Sequence, residues 1–121
     1  MPSEYEALVA ALKLLSVPFA EYGWKNRPEG AYGVVSLETE DGSLDGSGLK
    51  QDRSFEGSVD LFYPKLSDRS GLTEEVEETL EAVCGSCWEL NSVQYENSTG
   101  LFHAEWIFRV QDHGTEAEVD G

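Results

Sequence analysis

Tyr5, Leu8, Val9, Leu12 and Leu15 recur at intervals of three and four, the repeat that gathers apolar side chains on one face of an α-helix. Ser3 and Glu6 precede that face in the S-x-x-E arrangement of a capping box, where each side chain answers the other's free backbone N–H. Pro18 lacks an N–H and disfavours helical geometry in the residue before it. A first helix is therefore predicted over about residues 4–16.

The pattern then changes to strands. Phe19 to Trp24 is short and aromatic, an edge strand, and Asn26-Arg27-Pro28-Glu29-Gly30 reads as a turn. Residues 31–38 are apolar and β-branched and form a second strand. Residues 39–50 set Gly42, Gly46 and Gly48 among Asp41, Ser43, Leu44, Asp45 and Ser47, which predicts a mobile loop. Phe55, Gly57, Val59, Leu61 and Tyr63 alternate with Glu56, Ser58 and Asp60, so residues 51–63 read as a long strand, with Gly57 marking a bulge or kink.

A second helix starts with Thr73 as its cap. Leu72, Val76, Leu80 and Val83 line one side of it and Glu74, Glu75, Glu77, Glu78 and Glu81 the other. Gly85 supplies the left-handed residue that ends it. Two more strands, Trp88 to Tyr95 and Leu101 to Val110, flank the turn Asn97-Ser98-Thr99-Gly100. The order α-β-β-β-α-β-β predicts an α+β fold: an antiparallel sheet of about five strands with two helices on one face. Residues 1–111 form one domain in this reading, and the acidic residues 112–121 a flexible tail.

Charge narrows the partners. The chain has 24 acidic and 8 basic residues among 121, a net charge of −16. The acid is spread along the chain, so most of the surface should carry a negative field that disfavours nucleic-acid grip and anionic membrane. Such a surface serves solubility, DNA mimicry, or the wall of a channel that DNA must not stick to. Hydrophobic residues are 40% of the chain, enough for one thin core but not for a buried cofactor or a two-domain cleft. No apolar run reaches the roughly 20 residues of a membrane span. Met1 to Glu6 shows neither basic flank nor apolar stretch, so no signal peptide is expected.

Candidate chemistry is sparse. Cys84-Gly85-Ser86-Cys87 is a C-x-x-C at the C-terminal end of the second helix, where the dipole raises thiol pKa. Structural thiols are the reading; a redox dithiol and a metal site with His103 or His113 stay open. His103 on an alternating strand reads as a cross-strand surface residue. Trp24, Trp88 and Trp106 read as core, because a stacking platform would need bases between them. Neither a nucleophile motif nor a phosphate-cradling loop is visible, so no catalytic residue and no cofactor are expected. The glutamates of the second helix, with Glu56 and Asp60, are candidates for a surface selected to be negative.

The element order and several segments resemble the tail-terminator, or tail-completion, proteins of lambda-type long-tailed phages. The likeness spans about residues 5–110: the first helix leading into Pro18-Phe19, a long strand ending in Val59-Asp60-Leu61-Phe62-Tyr63, then Lys65 and Asp68, the acidic helix from Thr73 to Leu80, and the aromatic strand Trp106-Ile107-Phe108-Arg109-Val110. The C-x-x-C is not a feature of that family. The resemblance implies a subunit of a hexameric ring that stops tail-tube growth and meets the head-side connector protein. Its partners would be copies of itself, the tail-tube protein and the connector, with DNA passing through unbound. Its place would be the host cytoplasm and then the virion. The loop Asp41, Gly42, Leu44, Asp45, Gly46 and Gly48 would join neighbouring subunits, and the acidic candidates would line the lumen. An acidic DNA mimic that inhibits a DNA-binding protein is the alternative.

Overall fold

Strand alternation and helical periodicity give two layers, because each element buries one apolar side and the two sides face each other. The computed structural model describes residues 3–44 and 50–112. In chain order the elements are α1 (Ser3–Leu12), β1 (Phe19–Glu21), β2 (Tyr32–Leu44), β3 (Lys50–Tyr63), a 3₁₀ turn (Leu66–Asp68), α2 (Arg69–Cys84), β4 (Trp88–Glu96) and β5 (Leu101–Asp112). The fold is α+β, one five-stranded sheet in the order β1-β2-β3-β5-β4 with both helices on one face. Tyr5, Leu8 and Leu12 of α1 and Val76 and Leu80 of α2 are buried against Val59, Leu61 and Tyr63 of β3 and Ala104, Trp106, Phe108 and Val110 of β5. Full burial of one such large side chain stabilises by about 1.5–3 kcal/mol.

The sheet is mixed rather than wholly antiparallel. β1 lies parallel to β2, in the register Phe19↔Gly33 to Glu21↔Val35. Ten residues join them without a helix, and the return is stitched to β2 by hydrogen bonds. Tyr22 N–H donates to the Val35 carbonyl (2.8 Å), and the Trp24 indole N–H to the Gly33 carbonyl (3.0 Å).

The first helix stops short of its predicted end and the second starts before its predicted cap, while the second ends at Gly85 as expected. After Leu12 the bonds tighten to Leu14 N–H on Ala11 and Leu15 N–H on Leu12, each 3.1 Å. Such i to i−3 bonds end the α-helix ahead of Pro18. Thr73 does not cap α2. The helix has already begun at Arg69, and the Thr73 hydroxyl donates back to the Arg69 carbonyl at 2.7 Å, as an interior threonine does.

The predicted loop at 39–50 is mostly strand. Asp41, Gly42 and Leu44 belong to β2, paired with Ser54, Arg53 and Lys50 of β3. Ladder bonds carry the hairpin well past its apolar stretch. Asp45, Gly46 and Gly48 lie outside the described residues, as does all of the predicted tail except Asp112, the last residue of β5. The irregularity expected at Gly57 falls on its partner, because the register steps from Leu37↔Gly57 to Thr39↔Glu56 and leaves Glu38 as the extra residue. At Gly57 a Cβ would strike the Ser36 carbonyl and the Phe108 ring.

Candidate functional site

Side chains alternate across a strand, so residues between the core positions of β3 and β5 point away from the helices. On that open face a polar chain crosses four strands. Ser58, almost fully buried, lies within hydrogen-bond reach of Glu38 on β2 (3.1 Å) and Asp60 on β3 (3.2 Å). Asp60 Oδ1 then meets His103 Nε2 on β5 at 2.7 Å. His103 Nδ1 meets Glu96 Oε2 at the end of β4 at 2.9 Å, and Thr99 in the following turn donates to Glu96 Oε1 at 3.2 Å. The imidazole stacks on Phe62 (centroids 4.2 Å apart), and Phe62 stacks on Tyr32 at 4.8 Å. Its pKa is raised, chiefly by the hydrogen bond to Asp60 and further by Glu96, against the opposing effect of burial. Both ring nitrogens of His103 face carboxylate oxygens of the domain itself.

The seven acidic candidates do not share a surface. Glu56 and Asp60 stand on the open face, whereas the helix glutamates lie in the opposite layer. Glu56 sits 3.7 Å from Arg109, both well exposed, a geometry worth little to stability. Asp60 belongs to the histidine cluster.

Three helix glutamates have partners inside the domain. Glu75 accepts from the backbone N–H and hydroxyl of Ser16 (3.1 and 2.9 Å), tying the end of the α1 segment to α2. Glu77 accepts the indole N–H of buried Trp106 at 2.8 Å, and Glu81 that of Trp88 at 2.9 Å. Glu74 and Glu78 are exposed, and among the described residues neither has a hydrogen-bond partner.

The C-x-x-C is a turn. Gly85 adopts φ 62° and ψ −125°, and Cys87 N–H donates to the Cys84 carbonyl at 3.0 Å. That is a type II′ turn, whose first central position suits glycine. Cys84 is free and buried, its thiol pushed up to about 12 by burial, with Glu4 and Cys87 adding to the effect. Cys87 is free and exposed. Among the described residues no group of three or more His, Cys, Asp and Glu side chains could hold a metal ion, and no helix is long and apolar enough to cross a membrane.

The sequence matches no protein-family model and no curated protein.

Sequence reasoning missed the role of His103 and Glu96. The hairpin register around Asn97 to Gly100 could have placed those two side by side, since Glu96 pairs with Leu101 and Gln94 with His103. Nothing local in the chain points to Asp60, which is 43 positions from His103.

Proposed function

We propose that this chain is a structural subunit of a phage tail, a tail terminator that assembles into a hexameric ring through which DNA passes. The observation that carries the reading is the long hairpin with an uncovered edge. β1 pairs with β2 only over Gly33–Val35, so the outer side of β2 from Ser36 to Leu44 meets no other strand among the described residues. Such an edge is a template for pairing with another chain. A head-to-tail contact that repeats and closes makes a ring. The charge of −16 supports passage without adhesion, since every phosphate contact would need a base.

The test is the mass in solution, alone and with tail-tube protein. The expected species is a ring of six 13.4 kDa chains that caps tube ends and halts their growth. A chain that stays monomeric beside tube protein, and instead inhibits a basic DNA-binding enzyme, overturns the reading in favour of a DNA mimic.

A further inference from the structure

Two carboxylates address one imidazole on the open face, and proton counting decides its state. Ionised Asp60 and Glu96 can only accept hydrogen bonds, and both ring nitrogens of His103 lie within 2.7 and 2.9 Å of their oxygens. A neutral imidazole carries one N–H, so it can satisfy one carboxylate and must turn a lone pair on the other. An imidazolium satisfies both. Among the described residues the neighbouring groups add no competing donor. Ser58 has a single hydroxyl proton for Glu38 and Asp60, and Thr99 donates to the other oxygen of Glu96. Tyr32 and Phe62 contribute ring faces, Gln94 pairs across from His103, and nearby Glu105 takes its hydrogen bond from Asn91 at 2.9 Å.

We propose that Asp60, His103 and Glu96 form a proton-gated clasp: one bound proton ties the end of the β4–β5 hairpin to the middle of the sheet, and its loss frees the Glu96 side. The asymmetry of the site sets which side opens. Asp60 is nearer and 17% exposed, whereas Glu96 is 31% exposed and sits beside the turn. Neutral His103 therefore keeps its proton on Nε2 for Asp60 and leaves Nδ1 bare toward Glu96. Glu96 also anchors the turn, through Thr99 and through Gly100 N–H on its own carbonyl at 2.8 Å. Its release loosens residues 97–101 while β3 and β5 remain paired.

The test combines ¹⁵N NMR of the imidazole in a His113→Asn background with amide exchange across residues 97–101, both as functions of pH. At neutral pH both ring nitrogens should be protonated, with a titration midpoint above that of the same chain unfolded in urea. Protection of the turn amides should fall through that midpoint by more than the intrinsic exchange rate rises. Glu96→Gln can offer an amide N–H to the unprotonated Nδ1, so it should keep the turn closed and erase the pH dependence. A midpoint at or below the unfolded one, or turn protection without an inflection there, overturns the proposal. So does an undiminished pH dependence in folded Glu96→Gln. The wild-type measurements decide the matter on their own if that variant fails to fold.

Discussion

On the helix-covered face of the sheet, two indole N–H groups each meet one glutamate of α2. On the open face, three carboxylates gather round one imidazole and one serine hydroxyl. Each indole pair on the first face matches one donor to one acceptor with no titratable donor involved, although the buried Tyr63 hydroxyl in that layer has no partner among the described residues. The second is short of donors and makes up the deficit by holding a proton. Both arrangements place acids beside buried or half-buried polar atoms. The covered face should therefore be indifferent to pH near neutrality, and the open face should not.

The largest effect that could break this comparison lies under α2. Trp106 is fully buried, and Trp106→Ala should lose about 3–5 kcal/mol of stability in urea denaturation. The polar part of that site is read separately at its acceptor. Glu77→Leu leaves a buried indole N–H without a partner and should cost about 1–3 kcal/mol, most of it recovered in Glu77→Gln, which keeps a carbonyl oxygen there. Glu78→Leu, one position on but exposed, should change stability by less than about 0.5 kcal/mol. Equal losses at 77 and 78 would show that the helix acids act as one solvated face.

That contrast between neighbouring glutamates also marks where the sequence stops being legible. Spacing alone was enough to expect α2, β3 and β5, because their apolar positions repeat locally and the core is built from those repeats. The parallel setting of β1 could not be read, since three residues carry no periodicity and their pairing depends on the loop that brings β2 alongside. The start of α2 was hidden because Arg69, Ser70 and Gly71 include poor helix formers, while Thr73 looks like a cap in isolation. The far half of β2 was hidden by its Gly, Ser and Asp content, which suits turns until a partner strand supplies a ladder. At the site, five glutamates in one helix read as one acidic stripe. What separates them is the need of Trp106, 29 positions from Glu77, for an acceptor. Charge patterning reports where acids lie on a helix, and only the tertiary structure reports which of them already hold a proton donor.

A smaller effect, limited to one proton, sharpens the open-face half of the comparison. The folded-state pKa of His103 is raised above its ordinary value of about 6.5. Its contribution to stability is then fully present below about pH 6.5 and is lost as pH rises through the folded value. Urea denaturation of wild type and His103→Gln from pH 6 to 9 should give a stability difference that shrinks with rising pH. Its slope should be no steeper than about 1.4 kcal/mol per pH unit, the limit for a single proton. A difference that is flat or grows over that range would assign the stacked imidazole a packing role only. Trp106→Phe, its counterpart on the covered face, should show no such slope.

The smallest expected effect concerns the acids that neither face uses internally. Glu74 and Glu78 are exposed and stand four residues apart on α2, a like-charge pair that destabilises a helix by roughly 0.2–0.5 kcal/mol. Glu78→Lys converts it to a Glu-to-Lys pair in the favourable direction, so the variant should be more stable by a few tenths of a kcal/mol at low salt, and the gain should shrink as salt is added. Reversal of Glu77 or Glu81 should not stabilise, because each would lose an indole partner. The same two exposed positions then test whether the helix layer faces the channel of the proposed ring. Glu74→Lys with Glu78→Lys leaves Trp88 and Trp106 satisfied, so assembly should be unchanged. A ring lined by α2 should retard DNA during ejection at low salt and recover at high salt, as screening shortens to about 3 Å at 1 M. Normal ejection from well-formed particles would place α2 on the outside of the ring and leave the open face, with its histidine clasp, as the surface nearer the channel or the neighbouring subunit.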